Sequence, residues 1–307
     1  MKSKRNQTKN YKHGIINMSN MSNMSNMINT PKSLNNGDSF RKIYSDLLHY
    51  GQESAPRGLK ILEIENYEYI LQPYDRFTSF IPRKMNLDYI KNEFLWYLNG
   101  DKFDDSICDH ASMWKSLKNE DGSINSNYGQ YIFGNPEIKA CFNQFNNVIQ
   151  QLRDDRESRR AAMSILRAEH LLSETPDTPC TYSLSFRIRD NKLNMTVRMR
   201  SQDAIFGMTN DAPAFSLIHE MMFQELRAVY PGLEYGTYTH SADSFHVYER
   251  HFDMIKELPD SEYVPINCPK ILNAEEVRYL INGNYNKINE YEHYEFAKWV
   301  LQARNEK

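Results

Sequence analysis

No run of apolar residues in this sequence is long enough to span a bilayer, which excludes a helical membrane protein. Neither charge dominates. The 37 Lys and Arg stand against 40 Asp and Glu, a net charge of -3. No general basic field invites duplex nucleic acid, and direct nucleic-acid binding is not expected. Cysteine is scarce: Cys108, Cys141, Cys180 and Cys268 form no CxxC pair and suit no zinc spacing. No metal is therefore expected, and the reducing cytoplasm is the expected setting. The N-terminus is basic but lacks the apolar core of a signal peptide. No repeat of domain size is visible.

What is present is an ordinary globular composition, 40% apolar and 25% charged over 307 residues. Residues 1–36 read as a disordered tail, because the MSNMSNMSNM repeat buries little apolar area. Residues 37–307 read as the catalytic domain. The patterning predicts helices over Ser39–Tyr50, Leu87–Leu98 (ended by Asn99-Gly100), Glu137–Leu152, Pro213–Val229, Phe245–Lys256 and Tyr291–Arg304. It predicts strands over Leu59–Pro73, Arg160–Leu166, Tyr182–Arg189, Lys192–Arg200 and Leu233–His240. Strands and helices mixed without βαβ regularity imply an α+β fold.

The chemistry gathers between Thr178 and Glu220. Cys180 follows a proline. Two alternating runs come next, joined by Asp190-Asn191, a hairpin signal. They lead into RSQD, Gly207 and Asp211. A lone cysteine is by default a small apolar residue. Here the charge of Arg200, on the same hairpin, favours the nucleophilic thiolate. Arg200 and Ser201 offer a guanidinium fork and a hydroxyl to a phosphate. His246 and Tyr248 lie in SFHVYERH, both able to hydrogen-bond a sugar hydroxyl. Glu93 lies among Phe94, Leu95 and Trp96, where burial raises a carboxyl pKa and suits proton relay.

The pattern PC-x(n)-RS-x-D-x(3)-G resembles the thymidylate synthase superfamily, over about Ser39 to Ile255. The resemblance implies that fold, with a large mixed sheet and helices packed on it. It implies that the Cys180 thiolate adds to C6 of a pyrimidine nucleotide, with 5,10-methylenetetrahydrofolate as one-carbon donor. It assigns Arg57, Arg200, Ser201, His246, Tyr248 and Tyr128 to the nucleotide and Glu93 to proton management. Trp114, Asp203 and Gly207 are assigned to the folate. Arg159 and Arg160, in ESRRAAMS, are expected to cross a homodimer interface to the neighbouring subunit's phosphate. Two departures stand out: Leu117 replaces a frequent second tryptophan, and Thr181 replaces the usual histidine.

Asp211 decides the base. Synthases carry asparagine eleven residues after the phosphate-binding arginine, whereas this chain has aspartate at that spacing from Arg200. A carboxyl accepts from the cytosine amino group and shares a proton with N3, but faces O4 of uracil badly paired. INSNYG, MRSQDAIFGMTND and FHVYERHF resemble the deoxycytidylate hydroxymethylase branch, which adds water at the end of the reaction. The expectation is therefore 5-hydroxymethylation of dCMP. The alternatives are a synthase or hydroxymethylase acting on dUMP, a dCMP 5-methylase, and an idle homologue that only binds nucleotide or RNA.

Overall fold

The computed structural model describes residues 37–134, 143–172 and 175–305, all within one compact unit, Asn35–Lys307. The expected tail over 1–36, Cys141 and the start of the expected Glu137 helix lie outside the described residues.

Seven strands form one mixed sheet: β1 (Gln52–Ser54), β2 (Ile61–Leu71), β3 (Ala162–Ser164), β4 (Thr181–Arg189), β5 (Lys192–Met199), β6 (Gln202–Asp203) and β7 (Glu234–Tyr248). The order is β1-β2-β7-β5-β4-β3, with β6 also paired to β7. β7 runs parallel to β5 and β6 and antiparallel to β2. The β4–β5 hairpin closes as expected on Asp190 and Asn191, both left-handed at φ 48 and 59, the geometry of a two-residue type I′ turn. The β5–β7 register slips between Leu193 and Met195. There a side chain on Gly236 would collide with Asn194 Oδ1, so only glycine fits.

Alternation sets the two faces of the sheet. Leu184, Phe186, Val197 and Met195 point into the core beneath the 21-residue helix Gly207–Arg227. On the opposite face, Ser185, Thr196, Thr239 and Ile70 pair in one row across four strands, and Ser183, Arg198, Ser241 and Glu68 in the next. That second face is half-buried to exposed.

Three expectations need correction. The strand expected to end at His240 continues to Tyr248, and the helix expected from Phe245 begins only at Phe252. Pairing of Phe245–Tyr248 with Ile61–Ile64 of β2 overrides the helical pattern. The long helix begins at Gly207 rather than Pro213. Pro213 sits inside it and lacks the N–H that would bond Thr209. In the turn just before the helix, Asp203 accepts from the N–H groups of Ile205 (3.0 Å) and Phe206 (3.2 Å). The helix at Leu87–Asn99 ends as expected on a left-handed Gly100.

The long helix is pinned to the loop after β2 by a buried ion pair, Arg76 Nη1 to Glu220 Oε2, both residues inaccessible to solvent. Glu220 Oε1 also accepts from the Ile271 N–H at 2.9 Å. Removing one charge strands the other. Arg76→Leu is expected to lower unfolding free energy by about 3–5 kcal/mol in urea denaturation, while a loss under about 1 kcal/mol would refute the pair's role.

Candidate active site

One end of the sheet opens into a cavity of about 750 Å³. β4 starts there with Cys180 just before it, and β5 ends there with Arg200 and Ser201 just after it. β6 carries Asp203, and β7 ends there with His246 and Tyr248. The helix Leu87–Asn99 supplies Glu93 and the long helix supplies Gly207 and Asp211. Trp114 comes from a 3-10 turn and Tyr128 from the residue before a short helix. Gly129 lets that helix touch helix Leu87–Asn99, since a Cβ there would strike the Tyr97 carbonyl. Tyr128 consequently stacks on Tyr97, ring centroids 5.5 Å apart.

Twelve of the fourteen expected site residues line this cavity: Cys180, Glu93, Asp211, Arg57, Arg200, Ser201, His246, Tyr248, Tyr128, Trp114, Asp203 and Gly207. Arg159 and Arg160 do not; both are exposed at the start of β3. Arg57 reaches the rim from an exposed turn in a left-handed conformation, φ 53.

Cys180 is half-buried. Its N–H donates to Tyr128 Oη at 3.3 Å, and its carbonyl accepts from the Arg200 N–H at 2.8 Å. The Arg200 side chain grips the same loop, Nε on the Pro179 carbonyl (3.1 Å) and Nη2 on the Thr178 carbonyl (2.7 Å). Burial pushes the thiol pKa up. Arg200 pulls it down, as expected, but does not outweigh burial.

Two carboxyls face the same space. Glu93 is 4% exposed, and burial, then the charge of Asp211, push its pKa up to about 8. Tyr89 Oη donates to Glu93 Oε1 at 2.8 Å and accepts from Trp114 Nε1 at 3.0 Å. Asp211 opens partly to the cavity yet lies deep beneath the surface, and burial pushes its pKa up to about 7. Gln202 Nε2 donates to Asp211 Oδ2 at 3.3 Å and opposes that rise. Tyr69 Oη donates in turn to Gln202 Oε1 at 3.2 Å.

His246 pairs edge-on with Tyr248 at 5.0 Å, and its Nδ1 lies 3.2 Å from Ser244 Oγ. Burial lowers its pKa, so it is neutral at pH 7. The mouth carries exposed Met113, Leu171 and Phe206, with Leu117 and Trp114 behind them. Sequence reading missed Tyr89, Gln202 and Asp177. Tyr89 was findable, lying four residues before Glu93 on one helix face. Gln202 sits inside the RSQD motif itself. Asp177, which buries its carboxylate against Ser126, left no signal beyond its closeness to Cys180. Among the described residues, no group of His, Cys, Asp or Glu is arranged to hold a metal ion, and no helix is long and apolar enough to cross a membrane.

Comparison with known proteins adds relatives. The family model described as Thymidylate synthase matches residues 38–301. The chain is 29% identical over 205 residues to Deoxycytidylate 5-hydroxymethyltransferase of Enterobacteria phage T6, covering 64% of this chain and 80% of the relative. The protein of that name in Enterobacteria phage T4 is 28% identical over the same shares. Deoxyuridylate hydroxymethyltransferase of Bacillus phage SP01 is 28% identical over 219 residues, 68% of this chain and 56% of the relative.

The opposing effects on Cys180 are separable. Because Arg200 holds the thiol pKa down, Arg200→Met is expected to slow alkylation of Cys180 by iodoacetamide at pH 8 about threefold to tenfold, read by peptide mass mapping. An unchanged rate would show that the guanidinium does not act on the sulfur.

Proposed function

This chain belongs to the thymidylate synthase family, and from that premise we propose that it hydroxymethylates C5 of dCMP with 5,10-methylenetetrahydrofolate as one-carbon donor. One observation carries the choice of cytosine. The carboxyl at position 211 faces the cavity that holds Cys180, and its pKa of about 7 lets it lend or keep a proton. The two relatives from phages T6 and T4 named for deoxycytidylate support the same reading.

The steps follow from the side chains. Arg200, Ser201 and Arg57 receive the phosphate, and His246 with Tyr248 the sugar hydroxyl. Asp211 accepts from the cytosine amino group and shares a proton with N3, which draws electrons from the ring. The Cys180 thiolate then adds to C6, and C5 becomes nucleophilic. The folate, when bound, supplies a one-carbon unit at the oxidation level of formaldehyde. C5 forms the new carbon–carbon bond and loses its proton, and the bond from that carbon to the carrier nitrogen breaks, releasing tetrahydrofolate and leaving an exocyclic methylene on the ring. Glu93 orients a water, which adds to the resulting exocyclic methylene, and the C6–S bond breaks to return the thiol. Glu93 Oε2 is buried and has no protein partner, which suits a carboxyl that holds a water.

The folate finds a fitting surface. Met113, Leu171 and Phe206 are 58%, 64% and 44% exposed, an unusual apolar cluster at a cavity mouth and suited to a flat conjugated ring. Trp114, Asp203 and Gly207 would hold it. Space within the chain does not demand glycine at 207, since a Cβ there meets its neighbours at 3.5–3.6 Å. Close approach of a bound group would. Arg159 and Arg160, at the far end of the sheet, are proposed to serve the site of a second copy in a homodimer. The registered rows on the outer sheet face, mostly small and polar with Ile70 among them, offer that dimer its interface. A second reading, hydroxymethylation of dUMP, is favoured by the SP01 relative's name.

Product analysis separates the readings. With dCMP and methylenetetrahydrofolate, mass spectrometry is expected to find 5-hydroxymethyl-dCMP, and dUMP to turn over poorly. Asp211→Asn is expected to cut kcat/KM for dCMP by about a hundredfold or more and to raise relative use of dUMP. Cys180→Ser abolishes turnover. A wild-type preference for dUMP overturns the reading.

The bound Asp211–cytosine pair needs one proton. Below about pH 7 free Asp211 already holds it; above, binding must take it up. The dCMP dissociation constant is therefore expected to rise about tenfold per pH unit above pH 7. A flat calorimetric profile from pH 6 to 9 would contradict proton sharing.

A further inference from the structure

We infer that Tyr89, itself directed by Trp114, is a positioning residue that fixes which oxygen of Glu93 exchanges a proton with the cavity. The inference rests on the reading of this cavity as the active site, and assigns Tyr89 a part in it.

The argument is one of donors and acceptors. An indole N–H can only donate. Trp114 Nε1 lies 3.0 Å from Tyr89 Oη, so the Tyr89 oxygen accepts there. Its own proton then goes to the remaining partner, Glu93 Oε1, at 2.8 Å. Oε1 is thereby an acceptor whether Glu93 is ionised or neutral. When Glu93 carries a proton, that proton sits on Oε2. Oε2 is buried and lacks a protein partner. The chain Trp114 to Tyr89 to Glu93 thus runs one way, and closes one face of the carboxyl so that only the other does chemistry.

The local sequence builds this chain. Asn86 caps the helix by accepting from the Tyr89 N–H at 3.1 Å, which sets the first turn. Four residues on, Glu93 lies on the same face. Tyr89, Glu93 and Trp114 are each at most 8% exposed, so water competes poorly for these bonds. The titratable groups facing Glu93 are Tyr89 and Tyr97 from its own helix and Asp211 from the long helix. Of these, Asp211 raises the Glu93 pKa and the Tyr89 bond lowers it. Losing Tyr89 Oη therefore frees Oε1 to hold the proton and moves the Glu93 pKa higher still.

The test uses Tyr89→Phe, which keeps the ring, with Trp114→Phe as a second variant that removes the upstream donor and, because Trp114 is also assigned to the folate, is read only without substrate. The first readout needs no substrate. The infrared band of the neutral carboxyl that disappears in Glu93→Gln is titrated against pH in the full-length protein. Its midpoint is expected to move up by about one pH unit in Tyr89→Phe, the order of one hydrogen bond to a carboxylate, and by less in Trp114→Phe. The second readout is the pH profile of kcat for dCMP, whose Glu93 limb is expected to move up by the same amount with KM for dCMP changed less than about twofold. An unmoved midpoint, or a downward one, in a Tyr89→Phe protein that melts like wild type overturns the inference. A moved midpoint in a protein that makes no hydroxymethyl product from dCMP upholds the role of Tyr89 while sinking the proposed reaction.

Discussion

The direction of β7 decides where everything else lies. β5 and β6 run parallel to it, while β2 runs antiparallel to it and β4 antiparallel to β5. Ends of β5 and β7 and starts of β2 and β4 must then fall on one side of the sheet. Arg57 precedes β2, Cys180 precedes β4, Arg200 follows β5, and His246 closes β7. Residues separated by nearly two hundred positions meet because backbone hydrogen bonds leave them no other place. The same rule accounts for the two that do not arrive. β3 pairs antiparallel to β4, Ala162 opposite Ser185 and Ser164 opposite Ser183, so Arg159 and Arg160 enter from the opposite side.

The helices add the groups the sheet cannot. Glu93 and Asp211 lie on two helices and share a cavity wall. Both have carboxyls pushed toward neutral pH by burial, and Asp211 adds to the rise at Glu93. Each is restrained from one side by a neutral donor, Tyr89 or Gln202. Neutral donors temper a carboxyl's pKa without supplying a compensating charge. An arginine at either place would have supplied that charge and favoured the ionised acid.

Much of this was legible in the sequence because the signals are local. Asp190-Asn191 between alternating runs specifies a turn that only left-handed residues make, and the hairpin follows. Asn99-Gly100 stops a helix for the same kind of reason. The reading failed where a distant partner decides. Phe245–Tyr248 has mixed propensity, and β2 settles it. The start of the long helix was misplaced because Pro213 looks like a first-turn residue. The helix begins six residues earlier, at the end of a turn in which Asp203, on β6, accepts from the N–H groups of Ile205 and Phe206. Of the carboxyls, Glu93 was found by its match to the family's helix, with its apolar company in agreement. Tyr89 stood within reach of such a reading, four residues before Glu93, whereas the bond from Gln202 to Asp211 joins a strand to a helix and is set by geometry rather than by the motif that holds Gln202.

The arginine on the cysteine's hairpin illustrates how magnitudes settle such a site. Position alone suggests a thiolate, yet burial of the sulfur outweighs the arginine and pushes the thiol pKa up. Two neighbouring carboxyls near their own midpoints work in the same direction. A site that kept Cys180, Glu93 and Asp211 all ionised would hold three negative charges in one half-closed space, and a nucleotide phosphate would add more. Carrying less than full charge on the three at neutral pH weakens that repulsion. On the proposed reaction, Arg200 biases the deprotonation of sulfur that precedes attack on C6: the proton goes to a nearby acceptor and the charge appears beside the guanidinium. The same burial that makes the groups poor acids alone makes them able to exchange protons with one another at neutral pH.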